Sequence, residues 1–303
     1  MSEQLSTPAE PTGGSVSPAH RVRTLVARDE PILMGGFYDG VSARLVQRAG
    51  FPLTFMGGYA VAASLFGEPD IGLLGQTEMA DAARRLCRHV DAPVLVDADT
   101  GYGGVPNAVR TAELYAQAGA AGLFLEDQVW PKRCGHMQDK EVVPRGEWLA
   151  KLRAVLGLRP AIDLFVVART DARGPLGLEE AIDRGRAALD LGVDAVFVEA
   201  PQSVSELDAI AAAIPGPKIA NMVEFGKTPI LSPAELHDRG FNLIVYPVTA
   251  ILSQAHAVER VYETLRVDGT SENLRASLYE FDRFNELMGL PEHRRREADA
   301  TTS

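Results

Sequence analysis

Eight short apolar runs recur along this chain, most of them separated by enough residues for one helix, and that rhythm constrains the fold more than any other feature. They are PILMGGF from Pro31, PLTFMGG from Pro52, PVLVDAD from Pro93, AGLFLED from Ala121, LFVVART from Leu164, AVFVEA from Ala195, PKIANMV from Pro217 and LIVYPV from Leu243. The intervening segments, among them EMADAARRLCRHV, AVRTAELYAQAGA, LEEAIDRGRAALDLG and SVSELDAIAAAI, carry apolar residues at helical spacing. Buried strands alternating with helical crossovers imply parallel pairing. Gly50, Gly119, Gly192 and Gly240 end helical segments just before a strand, where a left-handed cap favours glycine. The pattern predicts an α/β chain closed into a (β/α)8 TIM-type barrel. An open doubly wound sheet stays as the alternative, because periodicity does not report closure. Gly101, Gly103 and Gly104 follow a strand but complete no GxGxxG spacing, which argues against a dinucleotide site.

A length of 303 residues suits one such barrel with additions. We expect residues 1–20, rich in Ser, Pro, Gly and Glu, to form a disordered tail, 21–252 the barrel, 253–291 C-terminal helices and 292–303 a second mobile tail. The helical stretch after the eighth strand is longer than one helix requires and could pack on a neighbouring subunit. A formal net charge of −11 disfavours binding to nucleic acid or an anionic membrane surface. No apolar run approaches the roughly 20 residues that span a bilayer. Two cysteines, Cys87 and Cys134, are too few for a disulfide framework and point to a reducing compartment, the cytoplasm.

Active sites of these barrels lie where strands end, and polar residues crowd those ends here. Asp97 and Asp99 close strand three, Glu126 and Asp127 strand four, Arg169 and Asp171 strand five and Glu199 strand six, while Asn221 lies in strand seven. Two apart on an extended strand, Asp97 and Asp99 would point the same way and converge on a hard divalent cation, magnesium or else manganese. The loop after strand four, EDQVWPKRCGHM, gathers Lys132, Arg133, Cys134 and His136 around Gly135. Adjacent cations favour a thiolate, so Cys134 is expected to give or take a proton near neutrality, whereas Cys87, within a helical segment, reads as inert. No second Cys or clustered His completes a zinc site.

DADTGYGG from Asp97, EDQVWPKRCGH from Glu126, ARTDA from Ala168 and NMVEFGKTP from Asn221 together resemble the isocitrate lyase and phosphoenolpyruvate mutase superfamily, and KRCGH resembles the signature of its lyase branch. The resemblance, running from about Arg21 to Leu290, implies a mobile gating loop carrying a catalytic Cys134, with magnesium on Asp97 and Asp99, supported through water by Asp70 and Glu126. It implies that Arg169 binds a substrate carboxylate, with Lys132 and His136 adding electrostatic stabilisation. Tyr38, Asp39, Gly57, Gly58, Tyr59, Gly135, Glu199 and Asn221 would complete the substrate pocket. It also implies a homotetramer whose barrels exchange C-terminal helices, and a small anionic carboxylate as substrate.

Two departures bear on which one. Gly57 stands where relatives commonly have Ser or Thr. Leu252, in YPVTAIL, stands where 2-methylisocitrate lyases have an Arg that helps hold a further carboxylate. A tricarboxylate would leave a charge poorly paired in a dry pocket, so a 2-alkylmalate fits better. The expected chemistry is carbon–carbon cleavage of such a 2-hydroxy dicarboxylate to a 2-keto acid such as pyruvate plus a carboxylate. Oxaloacetate hydrolysis or decarboxylation, 2-methylisocitrate cleavage, phosphorus–carbon chemistry of the carboxyphosphonoenolpyruvate type and a non-catalytic binding barrel remain as alternatives.

Overall fold

The computed structural model describes residues 16–301. Strands β1 (Ile32–Phe37), β2 (Leu53–Met56), β3 (Val94–Asp97), β4 (Gly122–Glu126), β5 (Phe165–Thr170), β6 (Ala195–Val198), β7 (Lys218–Asn221) and β8 (Leu243–Tyr246) fall on the eight apolar runs. Every neighbouring pair is parallel, and β8 returns to β1 with Ile32 opposite Leu243, so the sheet is a closed barrel and the open-sheet alternative is excluded.

The helices are α1 (Pro18–Val26), α2 (Gly40–Ala49), α3 (Gly58–Val61), α4 (Gln76–Leu86), α5 (Val105–Gln117), α6 (Arg145–Leu156), α7 (Leu178–Asp190), α8 (Val204–Ala213), α9 (Pro233–Asp238), α10 (Thr249–Asp268), α11 (Phe281–Leu287) and α12 (Leu290–Thr301). Cys87 lies in a single 3-10 turn after α4, buried, with its thiol pushed up to about 12 by that burial. The four glycines named above all take positive φ, between 76° and 94°.

Alternation along the strands divides the core in two. Leu53, Phe55, Leu95, Phe124, Phe165, Val167, Phe197 and Leu243 fill the barrel interior, while their sequence neighbours such as Val94, Val96, Val166 and Val196 pack outward under the helices. Phe55 stacks on Phe124 at 4.9 Å between centroids, and Phe197 meets Phe124 edge-on at 5.9 Å.

Both expected tails differ from expectation where they are described. Residues 18–20 begin α1, whose Ala19 and Val22 are fully buried against the barrel interior. Ser17 caps it by accepting from the His20 amide, and Pro18 occupies the first turn. Residues 1–15 of the expected tail lie outside the described residues. From Leu290 the chain is helical to Thr301 rather than irregular, though α12 buries no side chain. The barrel also hands over to its C-terminal helices earlier than expected, since α10 starts at Thr249.

Candidate active site

The C-terminal ends of the strands surround a cavity of about 330 Å³ whose walls include Gly57, Gly58, Tyr59, Asp70, Asp97, Cys134, Gly135, His136, Arg169, Glu199 and Asn221. Most of the expected site residues therefore meet in one place. Tyr38 and Asp39 do not. Asp39 caps α2 by accepting from the Ser42 amide, and Tyr38 donates its hydroxyl to Gln254 in α10 at 2.7 Å. The chain turns into α2 directly after β1, which carries both residues to a groove between α2 and α10 instead of the cavity.

Asp97 and Asp99 converge, but not through the pleat of a strand. β3 ends at Asp97, and Asp99 sits in the left-handed region at φ 45°, which a short acidic residue tolerates. The Asp99 amide donates to Asp97 Oδ1 at 3.1 Å and the Gly58 amide to Asp97 Oδ2 at 3.2 Å. A Cβ placed on Gly58 would lie 3.3 Å from Asp97 Oδ2 and 3.5 Å from Asp99 Oδ1, so a glycine lets the backbone approach both. Lys132 Nζ lies 2.6 Å from Asp70 and 2.6 Å from Asp99.

These residues suit a hard cation. Burial raises Asp99 to about 6 against the pull of Lys132, and burial raises Glu126 well above the carboxylate range against Arg169 and Lys132. Neither oxygen of the buried Glu126 receives a hydrogen bond. Asp70, Asp97, Asp99 and Glu126 outnumber the cations Lys132 and Arg169 that face them, an excess that a divalent ion with its waters would relieve. Among the described residues no three His, Cys, Asp or Glu side chains form a group that could hold an ion unaided.

The loop from Gln128 to Lys140 folds down over the cavity. Gln128 brackets it by donating to the Arg133 carbonyl and accepting from the Arg133 amide. The Cys134 amide donates to the Asp70 carbonyl at 3.1 Å. Gly135 touches the barrel mouth so closely that a Cβ there would fall 2.4 Å from Glu199 Cγ and 2.7 Å from an Arg169 nitrogen. His136 Nε2 lies 3.1 Å from Glu199.

Arg169 is fixed by two hydrogen bonds to Asp171, at 2.9 and 3.2 Å, and faces Glu126 at 3.2 Å and Glu199 at 3.5 Å. Its guanidinium also lies over the Phe197 ring. Despite burial, Arg169 and then His136 hold Glu199 below its usual range, so it stays a carboxylate, and Asn221 donates to it. Asp171, which Arg169 and Lys140 hold well below the usual range despite its burial, ties this wall to the loop: Lys140 donates both to Asp171 and to the Gly135 carbonyl. Lys140 carried no signal in the sequence, because its partner lies 31 positions away.

The adjacent cations do not pull Cys134 towards a thiolate. Arg133 points outward, half exposed and 3.8 Å from Asp139, and Lys132 is committed to carboxylates. Burial therefore dominates and, with Asp70 and Glu199 adding to it, pushes the Cys134 thiol up to about 11. At pH 8 iodoacetamide should alkylate Cys134 on the order of a hundredfold more slowly than a free thiol, because the thiolate fraction falls tenfold per pH unit below the pKa. The rate should climb with pH towards about 11. A flat profile from pH 8 upward, read by peptide mass spectrometry, would contradict the protonated thiol.

A closed parallel barrel with this cluster of carboxylates, arginine and loop-borne thiol at its strand ends defines a (β/α)8-barrel enzyme. The family described as phosphoenolpyruvate phosphomutase matches residues 22–266. The chain belongs to the PEP mutase/isocitrate lyase superfamily. It is 39% identical to 2,3-dimethylmalate lyase of Eubacterium barkeri over 284 residues, covering 94% of this chain and 98% of that protein. It is 43% identical to the chloroplastic carboxyvinyl-carboxyphosphonate phosphorylmutase of Arabidopsis thaliana, covering 91% of this chain and 84% of that one. Among solved structures it superposes on oxaloacetate acetylhydrolase in complex with 3,3-difluorooxalacetate with a TM-score of 0.90, at 34% identity, covering 94% and 97% of the two chains.

Proposed function

We propose that this chain is a divalent-metal-dependent carbon–carbon lyase that cleaves a 2-hydroxy dicarboxylate of the 2-alkylmalate type to pyruvate, or a similar 2-keto acid, and a carboxylate. The observation that carries the reading is the make-up of the cavity wall. It presents Asp97, Arg169 and Asn221 together with the apolar Val223, Val245, Pro247, Val248 and Leu252. A small anion with an alkyl substituent matches such a wall, and Leu252 offers no cation to a third carboxylate.

Asp97 and Asp99, with Asp70 and Glu126 behind them, would hold the cation, which when bound offsets the negative charge that grows on substrate oxygens during cleavage. Arg169, pinned by Asp171, offers a guanidinium to a substrate carboxylate. As a base takes the proton of the 2-hydroxyl, that oxygen closes the keto C=O and the adjacent carbon–carbon bond breaks, its electron pair staying on the departing fragment. Cys134, held as a neutral thiol above the cavity, gives that carbon its proton. The closed loop, with His136 on its cavity side, keeps water from the carbanion, and Lys132 supplies fixed positive charge beside it.

The test is product analysis with magnesium and 2,3-dimethylmalate, citramalate, 2-methylisocitrate and oxaloacetate, following pyruvate and oxalate. Pyruvate from an alkylmalate is the expected result. Oxalate from oxaloacetate alone would favour the hydrolase reading that the structural similarity to oxaloacetate acetylhydrolase supports, and turnover of a phosphonate alone would favour the mutase. The Leu252→Arg variant should gain about tenfold in kcat/KM for 2-methylisocitrate relative to the alkylmalates, about one charge-assisted contact. No gain would undo the argument from the apolar wall.

The same reading includes a homotetramer that exchanges C-terminal helices. α10 buries none of its residues in a single chain, and Tyr262, Val267 and Phe281 are more than two-thirds exposed. Light scattering on the eluting protein should give four times the 32.6 kDa chain mass. The described residues contain no helix long and apolar enough to cross a membrane, and the two unpaired cysteines support a cytoplasmic location.

A further inference from the structure

We infer that the segment after β7 is the latch of the Cys134 loop, with Lys227 as the positioning residue that holds Cys134 and His136 over the cavity. What the loop accomplishes when shut rests on the lyase reading; the latch itself rests on contacts that need no chemistry.

Lys227 grips the loop twice across about ninety positions of sequence. Its amide donates to His136 Nδ1 at 3.0 Å, and its ammonium donates to the Met137 carbonyl at 3.0 Å. The first bond also sets the imidazole's tautomer: with Nδ1 accepting, the proton of the neutral ring sits on Nε2, facing Glu199. Gly226 presses the same ring from behind, where a Cβ would lie 2.5 Å from His136 Nδ1.

The latch is itself braced. Phe225, whose side chain is fully exposed, takes the left-handed conformation at φ 61°, uncommon for a bulky residue. That turn directs Gly226 and Lys227 at His136. Upstream, the Thr249 hydroxyl at the start of α10 donates to Glu224, so the segment spans from the C-terminal helix to the Cys134 loop. Lys140 fastens the loop from the barrel side, and Lys227 does so from outside.

Lifting the loop off the cavity would break each of these bonds, so removing one should shift the open-to-shut ratio by roughly tenfold for a charge-assisted contact. The experiment is the rate of Cys134 alkylation by iodoacetamide, read at peptide level beside kcat and KM, for Lys227→Met, Lys227→Arg and Gly226→Ala. Lys227→Met should be alkylated about tenfold faster than the wild type and lose a similar factor in kcat, with Lys227→Arg near wild type. Gly226→Ala, which acts on His136 without touching the lysine, should also speed alkylation. Unchanged alkylation in both Lys227→Met and Gly226→Ala overturns the latch. Faster alkylation in a protein whose wild type cleaves none of the four acids supports the latch and sinks the lyase reading, so the two fail separately.

Discussion

The Cys134→Ser variant is expected to lose about 10²–10⁴-fold in kcat on the preferred acid, the range supplied by a positioned proton donor. Serine keeps the size and the backbone contacts, so the loop should shut as before. A hydroxyl is a far weaker acid than a thiol, even one that burial has raised to about 11. Ligand affinity should stay within about threefold, since Arg169 and the carboxylate cluster are untouched, and a loss confined to kcat marks an interaction made in the transition state. Two results would count against this. A variant as active as the wild type removes Cys134 from the chemistry, and a wild type that binds the acids without turning any over makes the chain a binding barrel. A donor must carry its proton into the reaction, and the raised thiol keeps it there.

The eight strands were legible because each is a short buried run between helical segments, and their ends were legible because a cavity wall needs polar residues where the apolar pattern breaks. Barrel closure was expected from the eightfold rhythm and is borne out, although the contact that seals it joins β8 to β1 from opposite ends of the barrel sequence. α1 was passed over because only Ala19 and Val22 are buried to mark it, although Ser17 and Pro18 are start signals. Asp97 and Asp99 were paired correctly for the wrong reason: a left-handed turn, not strand alternation, brings them together. The protonation of Cys134 depends on burial by distant segments, so neighbours in sequence misled. Tyr38 and Asp39 sit beside a strand end like true site residues, but capping of α2 turns them away. The Lys140 and Lys227 contacts join residues far apart in the chain, and no local pattern announces them.

Gly135→Ala should be nearly as damaging as loss of the thiol, and by a different route. One methyl group there would meet Glu199 Cγ at 2.4 Å, Glu199 Cδ at 2.6 Å and an Arg169 nitrogen at 2.7 Å. Neither neighbour can yield, since Arg169 is bound to Asp171 and Glu199 is held by Arg169, His136 and Asn221. The loop must therefore stand off the barrel mouth, and a displacement of about 1 Å at a reacting group costs on the order of a hundredfold in kcat. Stability should change little, within about 0.5 kcal/mol, because the clash is relieved by opening a surface loop and not by disturbing the core. Cys134 should become readily alkylated, unlike in Cys134→Ser, where the site is gone. The control is Gly146→Ala in the exposed first turn of α6, where a Cβ meets nothing within 4 Å and helix propensity should raise stability by at most about 1 kcal/mol. Wild-type kcat in Gly135→Ala would mean that catalysis does not need the loop this close to Glu199 and Arg169, and the proton would then have to come from somewhere other than Cys134.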